Sequence, residues 1–136
     1  MSAPPEPAEA SPETWLRYAA ENLVAAERAL LPPPLSAMAC FHAQQAAEKA
    51  LKGYPTSLTK QRVPRIHDLS RLSSRVVASG GSAPPRDALA VLNAYASGAR
   101  YPDVPPPSEA EACEALALAR QVLDFVCTQP TPPDPQ

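Results

Sequence analysis

Residues 39–52 read Ala39-Cys-Phe-His-Ala-Gln-Gln-Ala-Ala-Glu-Lys-Ala-Leu-Lys52 and hold no Gly, no Pro and no β-branched residue. Such a run predicts a strong helix. Steps of three and four from Ala37 give Cys40, Phe41, Gln44, Ala47, Glu48 and Leu51. That is an apolar stripe with an amide and a carboxylate set into its middle. A buried polar group needs a partner, and a buried charge needs one more urgently. The helix is therefore expected to meet polar groups from another helix or to line a polar cleft.

The rest of the chain supports an all-helical reading. Nineteen prolines would ordinarily suggest disorder, but here they fall between proline-free runs at 13–31, 35–54, 65–83, 86–101 and 108–129. Proline inside a helix loses a hydrogen bond and clashes with the preceding turn, so five such runs predict five helices. In the first, Ser11 is the expected N-cap with Pro12 at the first helical position, and the stripe is Trp15, Ala19, Asn22, Leu23, Ala26 and Leu30. Ser36 is the expected cap of the second. The third is expected from near Ile66, with Leu69, Leu72, Val76 and Val77 inward and Gly80-Gly81 as its stop. The fourth runs from Arg86 to about Ser97 and uses Leu89, Leu92 and Tyr95. Ser108 caps the fifth, with Glu109 and Glu111 in its first turn and Ala112, Leu116, Ala119, Leu123 and Val126 as its stripe.

No run alternates with period two, so no sheet is expected. The fold class is all-α, an antiparallel up-and-down bundle of four to five helices. The domain is expected over 11–128. The Pro-rich tails 1–10 and 129–136 are expected to be disordered, and residues 55–64 to form a mobile basic connector.

At 136 residues the chain makes one domain with a modest core, and much of its apolar content is Ala. Nothing approaches 18 consecutive apolar residues, and the N-terminus lacks the basic and apolar regions of a signal peptide. No membrane association is expected, and the expected compartment is the cytoplasm. Cys40, Cys113 and Cys127 show no metal-ligand spacing and are expected to be buried, inert thiols. No metal site and no cofactor are expected. Net charge is −2, but unevenly spread. From Lys49 to Arg75 there are seven bases and one acid, net +6; the remainder has five bases and thirteen acids, net −8. This asymmetry points to a local anion-facing surface.

Phe41-His-Ala-Gln-Gln-Ala-Ala-Glu-Lys-Ala-Leu-Lys52, followed by His67-Asp-Leu69 and Arg100-Tyr-Pro-Asp103, resembles the small prokaryotic HEPN domains in order and spacing over roughly residues 13–127. Those are helical proteins often encoded beside a minimal nucleotidyltransferase. The resemblance implies a homodimer and a nucleotidyltransferase-type partner in a toxin–antitoxin-like pair. It also implies a polar groove for a nucleotide, an RNA phosphate or the partner. The matching positions are Gln44, Glu48, Lys49, Lys52, His67, Asp68, Arg100, Tyr101 and Asp103. Ile66 departs from the pattern, standing where similar sequences usually carry a capping Thr.

Two residues are candidates for chemistry. His67 is expected in the first turn of the third helix, where the helix dipole disfavours imidazolium; a neutral ring there could serve as a general base. Arg100, before Pro102, could clamp a phosphate. Ribonucleases of the HEPN group resemble one another in an Arg, four to six residues, then a His. Counting from Arg100 that His would fall at Pro105, Pro106 or Pro107, so the motif is absent there. Arg62 and His67 have the spacing, but Pro64 between them forbids a shared helix face. A metal-independent endoribonuclease using His67 and Arg100 stands as the alternative to a binding module, and a purely structural bundle as a third. His42 is expected on the surface, opposite Gln44.

Overall fold

The computed structural model describes residues 11–55, 66–96 and 103–130. The expected tail at 1–10, residues 131–136 of the tail expected over 129–136, most of the basic connector, and Arg100 with Tyr101 lie outside the described residues. Among the described residues five helices follow in order: α1 (Pro12–Ala29), α2 (Ser36–Lys52), α3 (Leu69–Ala78), α4 (Arg86–Asn93) and α5 (Glu109–Cys127). No strand occurs among the described residues. No helix among them is long and apolar enough to cross a membrane.

α2 is the central rod. Nine of its residues are buried: Ala39, Cys40, Ala43, Gln44, Ala46, Ala47, Glu48, Ala50 and Leu51. Its buried sector is thus wider than the stripe read from the sequence, because four further alanines let a neighbour approach closely. α1 packs antiparallel to it, as the contact of Trp15 with Gly53 at one end and the hairpin turn at the other require. α5 runs in the same direction as α2. Tyr54 meets Gln129 at one end, and Glu111 acts on the Cys40 thiol at the other. The short α3 and α4 close the remaining side, bringing in Leu69, Leu72, Val76, Leu89 and Leu92.

The helix ends follow local chemistry. Ser11 accepts from Thr14 N and Pro12 opens α1. Ser108 and Glu111 form a full capping box on α5, satisfying two otherwise unpaired donors. α3 closes with Gly80 at φ +97°, with Gly80 N bonded to Val77 O and Gly81 N to Val76 O. This is the Schellman arrangement, in which a left-handed residue ends the helix.

Three expected boundaries shift. Leu35, not Ser36, occupies the N-cap of α2, without a side-chain cap. Leu35 N is drawn back onto Ala29 O at 2.7 Å to close the hairpin, so the helix starts with Ser36 inside it. α3 begins at Leu69 rather than near Ile66, because the Asp68 carboxylate takes the N-cap and accepts from Ser70 N and Arg71 N. α4 ends at Asn93, followed by a turn at Ala94-Tyr95. The Asn93 side chain is engaged with Leu69 N and Asp68, which ties the end of α4 to the start of α3.

The cysteines also differ from expectation. Cys40 is buried, but Cys113 and Cys127 are exposed, and all three are free thiols. Both exposed thiols lie on the outer face of α5, among Ala, Glu and Asp, where the pattern distinguishes inside from outside poorly.

Candidate functional site

Two polar clusters cross the buried flanks of α2. The first is built on Glu48, which is 3% exposed. Its Oε2 accepts from Lys52 Nζ at 3.2 Å, one turn further along the helix. Its Oε1 faces His67 Nδ1 at 3.1 Å and accepts from Gln44 Nε2 at 3.4 Å. The fully buried Gln44 also donates to the His67 carbonyl at 3.4 Å, and its Oε1 accepts from Gln45 Nε2 at 2.8 Å. A carboxylate and an amide one turn apart are thus answered from the segment just before α3. The Lys52 ammonium lies 5.3 Å from the centre of the Trp15 ring, which adds a cation–π contact beneath the ion pair.

His67 occupies the exit of this network. Its side chain is 71% exposed, whereas those of Lys52 and Glu48 are 7% and 4% exposed. It stands one residue before the Asp68 cap, so the helix-end position expected from the sequence is not the one it takes. Its orientation comes from the carboxylate instead. A carboxylate only accepts, so Nδ1 is the donor and carries the proton. The other nitrogen, Nε2, faces outward. A neutral ring held this way accepts a hydroxyl proton at Nε2, and a charged ring donates from it to a phosphate oxygen.

Asp68 turns away from this chemistry. Its Oδ1 accepts from Ser70 N, Arg71 N and Asn93 Nδ2. The Asn93 amide first, then the Arg71 N–H, hold its carboxyl below the ordinary carboxylate range.

The second cluster escaped the sequence reading. Lys49 does not join Glu48; its Nζ donates to Asn22 Oδ1 on α1 at 2.6 Å. The Asn22 amide therefore presents Nδ2 to His42 Nδ1, 3.0 Å away. Nδ1 must be the acceptor, so His42 is neutral with its proton on Nε2. His42 is half-buried rather than on the open surface. Burial first, then the Lys49 charge, push its pKa below the ordinary 6.5. Burial also lowers the Lys49 ammonium, with Glu48 partly opposing and Lys52 adding to the effect. The signal that could have found this cluster was Asn22 itself, a polar residue in the apolar stripe of α1.

Of the expected site residues, the structure brings together Gln44, Glu48, Lys52 and His67. Lys49 faces α1, Asp68 caps α3, and Asp103 is exposed in the turn before α5. Arg100 and Tyr101 fall outside the described residues.

A five-helix bundle with a buried amide–carboxylate–ammonium row defines a class of helical domain rather than a single protein. A family model described as the HEPN domain matches residues 12–129. The chain belongs to the HEPN domain family. It is similar to the crystal structure of TT1696 from Thermus thermophilus, at 37% identity and a TM-score of 0.67, covering 85% of this chain and 94% of that one. It is also similar to ST0689, an archaeal HEPN homologue, at 26% identity and a TM-score of 0.64, covering 87% and 96%. No curated protein matches the sequence.

Proposed function

We propose that this HEPN-domain protein is a binding module whose surface around His67 receives a nucleotide or the ribose-phosphate of an RNA. It acts as a homodimer beside a nucleotidyltransferase-type partner in a toxin–antitoxin-like pair. The observation that carries the binding reading is the buried Glu48 carboxylate fixing an exposed imidazole at 3.1 Å. Holding a mostly exposed ring in one tautomer opposes its conformational freedom, and such positioning suits a group that meets a ligand. The hydroxyl and phosphate of a nucleotide match the two roles open to Nε2. The basic balance of residues 49–75 in the sequence favours an anionic ligand. Family membership supports the pairing with a nucleotidyltransferase.

A second reading, a metal-independent ribonuclease, draws on the same dyad. His67 Nε2 would take the proton of the RNA 2′-hydroxyl, and Arg100 would stabilise the charge on the phosphorus oxygens. Incubating the purified protein with RNA in EDTA, beside His67→Ala, Glu48→Gln and Arg100→Ala, separates the two. Binding lost in His67→Ala with RNA left intact supports the binding module. Cleavage lost in His67→Ala and Arg100→Ala supports the ribonuclease. RNA and nucleotides that neither bind nor react would overturn both.

A further inference from the structure

The polarity set by Glu48 does not end at His67. A carboxylate and a carbonyl only accept, so the end of the Gln44 amide that faces Glu48 Oε1 and the His67 carbonyl must be its NH2. Both N–H groups of Gln44 are spent there. Its own carbonyl, fully buried, then requires a donor. Gln45 supplies one from Nε2 at 2.8 Å. The Gln45 amide is thereby fixed in turn, because a flip would set carbonyl against carbonyl. Its Oε1 and its second N–H are left over, and neither has a partner among the described residues.

Gln45 is half-buried, at the edge of the network. Successive residues of a helix turn by about 100° and rise by about 1.5 Å. Phe41, Gln45 and Glu48 therefore lie within a sector of roughly 60° and along about 10 Å of α2, with Gln45 between the other two. Phe41 is also half-buried, and its ring is braced edge-to-face by His42, with centroids 5.5 Å apart. One stripe of α2 thus carries a partly exposed aromatic ring, an amide of fixed polarity and the carboxylate that turns His67 Nε2 outward.

We infer that Phe41 and Gln45 form a base-reading subsite beside His67, which takes a nucleobase edge with a donor next to an acceptor, adenine above all. The inference rests on the nucleotide reading above and names the part of the ligand which that reading leaves open. Phe41 is the platform: stacking on an aromatic ring serves any base, since every base has a π-face. Gln45 is the reader. Its N–H donates to a ring nitrogen and its Oε1 accepts from the exocyclic amine, the bidentate pairing an amide makes with adenine N7 and N6. Adenine offers the same pair again through N1 and N6. Guanine N7 and O6 both accept, so on that edge Gln45 Oε1 would be left unmatched. With the base between Phe41 and Gln45, the sugar and phosphate fall toward His67. Both a free adenine nucleotide and an adenylate within RNA carry this chemistry.

The test is isothermal titration of the full chain with AMP, N6,N6-dimethyl-AMP, GMP, ribose 5-phosphate and a short oligoadenylate. Wild type is compared with Gln45→Ala, Gln45→Glu and Phe41→Ala, each checked for helicity by circular dichroism. AMP should bind about tenfold tighter than its dimethyl analogue, which lacks the amine donor, and Gln45→Ala should remove that difference. Gln45→Glu presents two acceptors and no donor, which suits guanine N1–H and N2–H; the ratio of AMP to GMP affinity should fall at least fivefold. Phe41→Ala should weaken AMP and GMP alike, and ribose 5-phosphate should bind equally to all four proteins. Oligoadenylate bound more tightly than AMP supports the subsite with RNA as the source, and equal binding supports it with the free nucleotide. AMP bound no better than ribose 5-phosphate, or a preference for AMP over its dimethyl analogue that survives Gln45→Ala, would overturn the subsite and leave the phosphate reading at His67 standing. Failure of every probe to bind would overturn both.

Discussion

Replacing Glu48 tests whether the polar row inside the bundle is a closed unit. Glu48→Ala removes the only carboxylate beside Lys52 among the described residues and leaves an ammonium whose side chain is 7% exposed. Breaking a buried pair by deleting one partner costs about 3–5 kcal/mol, because the remaining charge stays desolvated. His67 and Gln44 lose an acceptor as well, but His67 is mostly exposed and finds water instead. Glu48→Gln keeps one acceptor oxygen and sets an amide donor against Lys52 or His67, for a smaller loss of about 1.5–3 kcal/mol. Replacing both charges, as Glu48→Leu with Lys52→Met, removes the desolvation problem together with the attraction. The double variant is therefore expected to be more stable than Glu48→Ala. Urea unfolding followed by the single tryptophan, which lies under Lys52, is a suitable assay. With a slope of about 2 kcal/mol per molar, Glu48→Ala should lower the midpoint by roughly 2 M. A loss under about 1 kcal/mol, or a double variant as unstable as the sum of its parts, would show that water already solvates this row.

Three further outcomes are expected. Ser108→Ala removes the capping box of α5 and should cost about 0.5–2 kcal/mol in the same assay. His42 has a pKa lowered in the fold, so the unfolded chain binds its proton more readily; stability is full above pH 6.5 and falls as pH drops from there through the folded value. Unfolding measured between pH 7.5 and 5.5 should show a shallower decline in His42→Gln than in wild type. A thiol reagent should label Cys113 and Cys127 in the native protein and Cys40 only on unfolding, as counted by mass spectrometry.

The prolines made the helices legible, since each gap between them is long enough for a helix and too regular for a strand. Gln44 and Glu48 were legible as inward polar residues because both fall in an apolar stripe at helical spacing. What the chain did not disclose was register between helices. The clasp of Asn22 on His42 and Lys49 depends on how α1 lies along α2, and single-helix periodicity carries no such information. The expected position of His67 failed for a local reason: Ile66 offers no cap, so the cap fell to Asp68 and the helix started two residues after His67. The exposed cysteines were missed because α5 is rich in Ala on both faces, and a thiol among alanines reads as core.

The claim on which the functional reading rests is that a buried carboxylate holds His67 by Nδ1 and turns Nε2 outward. Long-range 1H–15N correlation spectra read this directly, because the chain has only two histidines and the network assigns them opposite tautomers. At neutral pH, His67 should carry its proton on Nδ1 and His42 on Nε2, and Glu48→Gln should disturb the first ring alone. A His67 ring that averages between tautomers, or is protonated on Nε2 only, would contradict it.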